Sequence, residues 1–337
     1  MNEPTTFRLG DFRLQRGMTL KDARIVYKTY GRLNANKSNA ILYPTSYGAH
    51  HTDIEWLIGE DRVLDPTRWF IVIPNMFGNG LSSSPSNTPF PYDRGRYPHV
   101  TTWDNVMAQR RLLTEVFGID RLALVYGWSM GGQQAYQWGA AFPDKVDRVA
   151  AVCTSARTSP HNRLFIDGVR AALTADPAWR DGWFAEPPLR GLRAMGRLYA
   201  GWAMSQTFYR KELWRGLGYA SMEDFIVAAW EGNFRRRDAN DLLAQFWTWE
   251  HNDISDNEMY RGDLAAALGA IEARTFVMPG ETDLYFQVDD NRAEMPHLRN
   301  AELRPIPSVW GHRAGNPVQN REDERFLIQA VRDLLAD

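Results

Sequence analysis

The sequence predicts an α/β fold in which a mostly parallel sheet is flanked by helices and interrupted by an inserted helical domain. Two observations lead to this prediction. Short β-rich runs alternate with amphipathic stretches over the first 150 residues, and strand-like runs resume near residue 274. Between them, residues 156–268 have helical patterns and no convincing strand. We therefore expect one α/β domain, residues 1–155 and 269–337, split by a helical lid domain, residues 156–268.

The candidate strands are short and rich in apolar and β-branched residues. They cover residues 24–30, 40–44, 69–74, 122–126, 148–153, 274–279 and 302–307. Residues 69–74, 122–126 and 148–153 are nearly continuous apolar runs, which is typical of parallel strands buried on both faces. Helical patterns lie at residues 105–117, 131–142 and 322–335. This alternation favours right-handed strand–helix–strand crossovers.

The helical insertion is rich in tryptophan. It holds seven of the 13 tryptophans of the chain: Trp179, Trp183, Trp202, Trp214, Trp230, Trp247 and Trp249. An insertion of this length is too long for a plain loop, and such segments are usually functional lids.

Composition excludes several classes of protein. The 39 basic and 41 acidic residues give a formal net charge of −2, so the chain has no basic surplus for nucleic acid. Cys153 is the only cysteine, which excludes an intrachain disulfide and a cysteine-based zinc site, and we expect it to be a buried packing residue. No signal-peptide pattern and no apolar run of roughly 20 residues is present, so we expect a cytoplasmic protein without a membrane partner.

The segment most suggestive of chemistry is Gly127-Trp128-Ser129-Met130-Gly131, which fits G-x-S-x-G. In this motif the serine lies on a sharp strand-to-helix turn that exposes its hydroxyl, and glycines leave room for the turn. A buried strand precedes the motif and a helix follows it. The context therefore favours Ser129 as a nucleophile over a purely structural tight turn.

A nucleophilic serine needs a histidine base and an acid, which in this type of site follow the serine in the order acid, then histidine. Four histidines follow Ser129: His161, His251, His297 and His312. We choose His312 because it lies in a glycine-bounded loop after the last strand. The preceding strand ends at Gly280, and we choose Asp283 as the acid that orients the histidine, with Glu281 as the alternative.

An oxyanion hole requires two backbone N–H donors. Met130, directly after the serine, supplies one. The other is expected from the Thr45-Ser46-Tyr47-Gly48 loop after the second strand, and Ser46 is the best single choice among these neighbours.

Three further groups of residues suggest weaker alternatives. His50, His51 and Asp53 could suit a metal, but adjacent histidines on an extended segment point to opposite sides, so we expect no metal. Gly78-Asn79-Gly80 lacks the full G-x-G-x-x-G motif, so we expect no nucleotide or other cofactor. Arg235-Arg236-Arg237 is more typical of a solvated or ion-paired helix face than of an anion site.

Taken together, the motifs resemble the homoserine O-acetyltransferase family of α/β-hydrolase-fold proteins. The similar segments include IPNMFGNGLSSSPS at residues 73–86, RYPHVTTWDNVMAQRRLL at 96–113, GWSMGGQQAYQW at 127–138, SARTSPHN at 155–162 and FRRRDAN at 234–240. The resemblance implies a Ser-Asp-His triad, an acyl-enzyme on the serine, a helical lid over a tunnel, and often a homodimer packed through the lid helices.

The departures from that family concern the substrate. Trp128 replaces a glycine before the serine, and Arg313 replaces an aspartate that serves the homoserine amine. Gly196 and Ala203 take the positions of an arginine and a tyrosine that serve the substrate carboxylate, with Arg197 adjacent and placed to compensate. A pocket that pairs a charged substrate loses affinity without those partners. We place Trp128, Tyr47, Arg313 and Arg197 in the substrate pocket, and expect Trp128 and the lid tryptophans to favour an apolar alcohol.

Three functions follow as hypotheses. The first is a serine carboxylesterase that hydrolyses short-chain, acetate-type esters through an acyl-enzyme. The alternative is a homoserine O-acyltransferase that uses acetyl-CoA or succinyl-CoA. The third, a catalytically silent binding protein, is disfavoured by the complete triad.

Overall fold

The computed structural model describes residues 3–336, and its centre is an eight-stranded sheet. The strands are β1 (Thr5–Arg13), β2 (Thr19–Tyr30), β3 (Ala40–Leu42), β4 (Phe70–Pro74), β5 (Leu124–Trp128), β6 (Arg148–Val152), β7 (Trp179–Arg180), β8 (Trp183–Phe184), β9 (Arg274–Met278) and β10 (Ala301–Leu303). The sheet order is β1-β2-β4-β3-β5-β6-β9-β10, while β7 and β8 pair separately. β2 is antiparallel to β1 and β4, and the pairs from β4 to β10 are parallel.

Eleven α-helical segments occur within residues 3–336. They are α1 (Thr102–Phe117), α2 (Met130–Ala141), α3 (Pro160–Thr174), α4 (Leu189–Ala203), α5 (Gln206–Arg210), α6 (Met222–Phe225), α7 (Gly232–Phe234), α8 (Ala239–Glu250), α9 (Leu264–Gly269), α10 (Val288–Glu294) and α11 (Arg321–Leu335). A π-helical turn, Ile226–Glu231, joins α6 to α7. None of these helices has the length and apolar character needed to cross a bilayer.

Both faces of the sheet are buried, as the apolar runs predict. On β5, Val125 packs in a core with Leu112 and Leu113 of α1, while Leu124 packs in a second core with Leu327 of α11. Successive strand residues point to opposite faces, so one apolar run supplies both cores. The predicted α/β fold with a mostly parallel sheet is confirmed.

The first helix shows why these elements begin and end where they do. Thr101 accepts a hydrogen bond from the Asp104 backbone N–H, and the Asp104 carboxylate accepts one from the Thr101 N–H, which forms a capping box. Gly118 ends the helix with a φ of 62°, a conformation that favours glycine.

The strand at one edge, β1, is missing from the sequence-based prediction. Most of its residues are exposed, and only Leu9 and Phe12 are buried. An edge strand with so few buried positions lacks the apolar pattern by which the others were found. The small β7–β8 hairpin also corrects the expectation that residues 156–268 contain no convincing strand. Strands of two residues are too short to show a periodic pattern in the sequence.

The helical segment, residues 156–268, leaves the sheet after β6 and returns before β9. Its start runs beside residues 252–254: the Thr158 N–H donates to the Asn252 oxygen at 3.0 Å, and the Ile254 N–H donates to the Ala156 oxygen at 3.2 Å. Between them lies an aromatic core that includes Phe165 and Trp249. The last part of the segment differs, because residues of α9 pack in the core of the sheet.

Candidate active site

The turn between β5 and α2 holds Ser129 in a strained conformation. Ser129 has a φ of 58° and a ψ of −127°, which is rare for a residue other than glycine. Its N–H donates to the Val152 oxygen at 2.9 Å, and its carbonyl accepts from Thr154 Oγ1 at 2.8 Å. Strained residues of this kind persist where the surrounding structure fixes them and are common in active sites.

The glycines of the motif are required by close contacts. A Cβ atom at Gly127 would lie 2.1 Å from the Gly131 oxygen, and one at Gly131 would lie 2.7 Å from the Pro44 oxygen. At Gly132 it would lie 2.4 Å from Thr154 Cγ2. The turn therefore packs α2 against the end of β3 at a distance that side chains would prevent.

His312 and Asp283 form a buried pair. His312 Nδ1 lies 2.7 Å from Asp283 Oδ2, and their side chains are 6% and 0% exposed. The other Asp283 oxygen accepts from the N–H of Tyr285 at 2.8 Å and of Phe286 at 3.3 Å. Two loops that follow β9 and β10 thus hold a carboxylate against one ring nitrogen, and the other ring nitrogen makes no hydrogen bond to any residue from 3 to 336.

The alternatives for these two positions lie elsewhere. The His161 ring packs against Trp202, the His251 ring stacks on Trp247, and His297 ends a short 3-10 turn after α10. The Glu281 side chain is exposed to solvent.

The backbone amides near Ser129 narrow the choice of oxyanion donors. The Thr45 N–H donates to the Pro74 oxygen, and the Gly48 N–H donates to Gln245 Oε1. Within residues 3–336, the N–H groups of Ser46, Tyr47 and Met130 donate to no protein acceptor. The loop therefore offers Ser46 and Tyr47, together with Met130, as unengaged donors.

A cavity of about 440 Å³ joins these residues. Its wall from the α/β part includes Ser46, Tyr47, Trp128, Ser129, His312 and Arg313. The helical segment contributes mostly apolar and aromatic side chains, namely Tyr199, Ala203, Met204, Leu217, Tyr219, Phe225, Ala229, Trp230 and Phe234, together with Asn233, Arg236 and Arg237. The structure thus brings the predicted serine, histidine and loop residues to a single cavity.

Most tryptophans of the helical segment do not line this cavity. Of the seven, only Trp230 does, while Trp214 and Trp249 are buried in the aromatic core and Trp247 stacks between His99 and His251. The expectation that the lid tryptophans shape the substrate pocket is wrong for the other six. An apolar side chain in a helix fits a core as well as a cavity, and sequence patterns do not separate the two.

Of the residues predicted to line the substrate pocket, some line this cavity and one does not. Tyr47 and Trp128 line the cavity. The Tyr47 ring stacks on the Phe246 ring with 4.4 Å between the ring centres, and Trp128 Nε1 donates to the His312 backbone oxygen at 3.2 Å. Arg197 does not line it. Its guanidinium pairs with Glu231 at 2.6 Å and with Glu223, on the outer side of the helical segment.

The residues considered above for a metal and for a nucleotide form hydrogen bonds within the protein. His50 Nε2 lies 2.8 Å from the Asn79 oxygen, and His51 Nδ1 lies 3.1 Å from Asn75 Nδ2. The Gly78 and Gly80 N–H groups donate to Ser83 and Ser84.

Cys153 lies behind the His–Asp pair. In the described part of the chain it forms with Asp283 and His312 the one cluster of three possible metal ligands, but that histidine and aspartate bond each other. Burial raises the pKa of the Cys153 thiol well above its ordinary value, so the thiol stays protonated and acts as a packing group.

Comparison with known proteins places the chain in a family. The sequence pattern of the alpha/beta hydrolase fold matches residues 41–312, and the chain belongs to that family. A probable esterase of Corynebacterium glutamicum is 41% identical over 91% of this chain and 88% of its own length. An ethyl acetate hydrolase of Pseudomonas veronii is 40% identical over 90% and 87%, respectively.

Two further similarities show which members of that family this chain resembles. The structure of the acetyl esterase MekB superimposes with a TM-score of 0.96 at 38% identity, and covers 100% of this chain and 97% of its own. A homoserine O-acetyltransferase of Geobacter sulfurreducens is 31% identical over 97% of this chain and 95% of its own length. The resemblance to the homoserine O-acetyltransferase family, with an esterase-like character, is confirmed.

Proposed function

We propose that this protein is a serine carboxylesterase that hydrolyses short-chain, acetate-type esters through an acyl-enzyme. The observation that carries the proposal is the buried His312–Asp283 hydrogen bond beside a cavity that Ser129 also lines. The relatives named as an esterase, an ethyl acetate hydrolase and an acetyl esterase support the reaction class and the acetyl group.

In the first half of the reaction, Ser129 Oγ attacks the ester carbonyl while His312 Nε2 takes its proton. Asp283, bonded to Nδ1, fixes the tautomer that leaves Nε2 as the acceptor and stabilises the imidazolium that forms. The tetrahedral intermediate then expels the alcohol, which receives the proton from His312. In the second half, water loses a proton to His312 and attacks the acyl carbon. The second tetrahedral intermediate then releases the acid, and Ser129 Oγ takes that proton from His312.

The negative oxygen of the tetrahedral intermediate needs two donors. We propose the Met130 N–H and, from the preceding loop, the Ser46 N–H. The Tyr47 N–H is the remaining alternative, because the Thr45 and Gly48 amides are bonded within the protein. Donors already oriented by the fold stabilise developing charge without reorganisation.

The same geometry disfavours transfer to homoserine. Gly196, aligned with the arginine of the transferases, packs so closely on the π-helical turn that a Cβ there would lie 3.0 Å from Glu231 Cα. Ala203 offers only a methyl group where the transferases have a tyrosine, and Arg313 stands where their aspartate would meet the amine. Since the contacts for a zwitterionic acceptor are absent at these positions, water is the acceptor that we propose.

We also propose that the helical segment acts as a lid domain. Its helices supply one wall of the cavity, whereas the triad candidates come from loops of the α/β part. Six of its large apolar side chains are exposed: Leu164, Leu189, Leu198, Met222, Val227 and Met259. These side chains support a homodimer packed through the lid helices, which molar mass in solution at several protein concentrations would test.

The test of the function compares ester hydrolysis with acyl transfer. Wild-type protein is assayed on acetate-to-butyrate esters, and CoA release is measured from acetyl-CoA and succinyl-CoA with homoserine. We expect acetate ester hydrolysis, its loss in Ser129→Ala, and full activity in Ser38→Ala, a control at an exposed serine. Strong homoserine-dependent CoA release would establish the transferase instead. Equal hydrolysis by wild type and Ser129→Ala would remove both enzyme functions.

A further inference from the structure

The cavity wall contains a cation that the protein itself does not neutralise. Arg313 directly follows His312, lines the same cavity and is only partly exposed. Its guanidinium carbon lies 6.0 Å from the centre of the Trp128 ring. Within residues 3–336, the Arg313 side chain makes no hydrogen bond and no carboxylate lies within salt-bridge distance of it.

The other charges of the cavity do not supply the missing partner. Asp53 is the one acidic residue on the described wall, and it already pairs with Arg237 at 2.5 Å and with Arg236 at 3.3 Å. It also accepts a hydrogen bond from the His50 N–H at 2.8 Å. Three arginines therefore share one carboxylate, and Arg313 interacts with it only at longer range.

Removal of a guanidinium from water without a partner is unfavourable. Burial lowers the pKa of Arg313 to about 10, and attraction to Asp53 only partly opposes this effect. The side chain is still protonated at neutral pH. A desolvated cation is costly until an anion binds it, and the planar guanidinium fits a carboxylate with two parallel hydrogen bonds.

We propose that Arg313 binds a carboxylate on the substrate, so that the preferred substrates are short acetate-type esters whose alcohol part carries a carboxylate group. The inference rests on the proposed esterase function and deepens it by naming the substrate class. It also replaces the expectation of a purely apolar alcohol. The aromatic wall packs on the carbon chain of the alcohol, and Arg313 holds its charged end.

Two simpler roles for Arg313 are possible, and they give different results. As a packing group on Trp128, Arg313 would affect charged and neutral esters alike. As a partner of Asp53 alone, it would stabilise the loop without favouring any substrate. Only a carboxylate-binding role makes the effect of a substitution depend on the charge of the ester.

The experiment uses matched pairs of esters that differ in one charged group. Acetoxyacetate, 3-acetoxypropanoate and 4-acetoxybutanoate are compared with ethyl, propyl and butyl acetate, for wild type, Arg313→Gln and Arg313→Lys. We expect the ratio of kcat/KM for the best charged ester to that of its neutral partner to fall at least tenfold in Arg313→Gln. Arg313→Lys should restore part of that ratio, because it retains the charge but not the planar fork.

Arg332→Gln is the control, since it removes the same charge from an exposed position on α11. We expect its ratio to equal that of wild type. An unchanged ratio in Arg313→Gln, or an equal fall in Arg332→Gln, would overturn the inference. A preference for monoethyl esters of dicarboxylic acids over the acetoxy acids would also overturn it, because the carboxylate would then lie on the acyl side.

A binding measurement separates this inference from the proposed function. Calorimetric titration of Ser129→Ala with 3-acetoxypropanoate and propyl acetate requires no turnover. We expect tighter binding of the charged ester, and loss of that difference in the Ser129→Ala/Arg313→Gln double variant. If the wild type hydrolyses no ester, the esterase proposal fails, while these titrations still decide whether Arg313 binds a carboxylate. Equal binding of the two esters would reject the Arg313 proposal alone.

Discussion

The cavity has a floor, formed by Ser129, His312 and their loops, with Asp283 bonded to His312 outside the lining, and a roof, formed by α4 and the helical stretch 222–234. In the floor, backbone atoms approach one another so closely that glycines are required at the turn. The roof is mixed: a Cβ at Gly196 of α4 would lie 3.0 Å from Glu231 Cα, whereas Gly201 of α4 and Gly168 of the adjoining α3 have nothing within 4 Å of where a Cβ would lie. Most of the roof is packed through aromatic side chains.

This difference shows where a sequence is informative about function. Positions set by the backbone accept few residue types, so the floor leaves a motif in the sequence. Positions filled by large side chains accept many alternatives if the volume is conserved. The roof can therefore change its lining, and with it the substrate, while the floor retains its chemistry.

The largest effect is expected in the floor, from Asp283→Asn. The asparagine oxygen can still accept from the Tyr285 and Phe286 N–H groups, but its amide would face His312 Nδ1 and favour the wrong tautomer. We expect kcat for acetate esters to fall roughly 10⁴-fold while the melting temperature changes little. Glu281→Gln, at the exposed alternative acid, serves as the control. A similar loss in both variants would assign the acid role differently.

Alanine at a glycine should have opposite effects at the turn in the floor and on α3, the helix that adjoins the roof. In Gly131→Ala the new Cβ meets the Pro44 oxygen, so we expect the free energy of unfolding to fall by about 3 kcal/mol. In Gly168→Ala nothing obstructs the Cβ, and the higher helix propensity of alanine should raise it by about 0.5–1 kcal/mol. Urea denaturation measures both, and the same sign in the two variants would contradict the contrast.

Two tryptophans of the helical segment should separate stability from specificity. Trp249 is fully buried, so Trp249→Phe should lower the free energy of unfolding by about 1–2 kcal/mol without changing the preference among esters. Trp230→Phe enlarges the cavity at the aromatic wall that packs on the alcohol part, and we expect the kcat/KM ratio of butyl acetate to ethyl acetate to rise roughly tenfold. Parallel kcat/KM and denaturation measurements test both expectations. An unchanged ester preference in Trp230→Phe would show that the roof does not select the alcohol part.

The effect confined to a pH interval concerns a buried carboxyl that joins α8 to the α/β part. Asp241 accepts hydrogen bonds from the N–H and hydroxyl of Ser86, at 2.9 and 2.6 Å. Burial raises the pKa of Asp241 from 3.8 to about 7, so the folded protein holds a proton that the unfolded chain has lost between about pH 4 and 7. The contribution of Asp241 to stability is therefore present at low pH and declines as the pH rises through that interval.

Asp241→Asn removes this titration. We expect the variant to gain stability relative to wild type as the pH rises from 4 to 7, as measured by urea denaturation at each pH. Asp61→Asn, at a side chain that is 91% exposed, is the matched control and should show no such trend. A constant difference between wild type and Asp241→Asn over this interval would contradict the assignment.

The sequence predicts the sheet and the sharp turn at Ser129 better than it predicts the lining of the roof. The buried strands and the turn at Ser129 follow from apolar runs and from glycine spacing, both of which are local in the sequence. The edge strand β1 was missed because it buries only two residues. Trp230 faces the cavity and Trp249 does not. This difference depends on how α4 and the stretch 222–234 pack together, and a local sequence pattern does not report such packing.

The start of the helical segment meets the part that precedes α9, where residues 156–158 and 252–254 bond to each other and enclose residues 159–251. The Arg157 Nε–Asp253 Oδ2 ion pair, at 2.6 Å, closes the same junction. Because the two points of attachment are adjacent, the residues between them can be exchanged for the equivalent segment of a related enzyme. Such an exchange would leave the distance between the two attachment points unchanged. Such grafts across this junction would transfer a substrate preference between enzymes while each recipient retained its own catalytic groups.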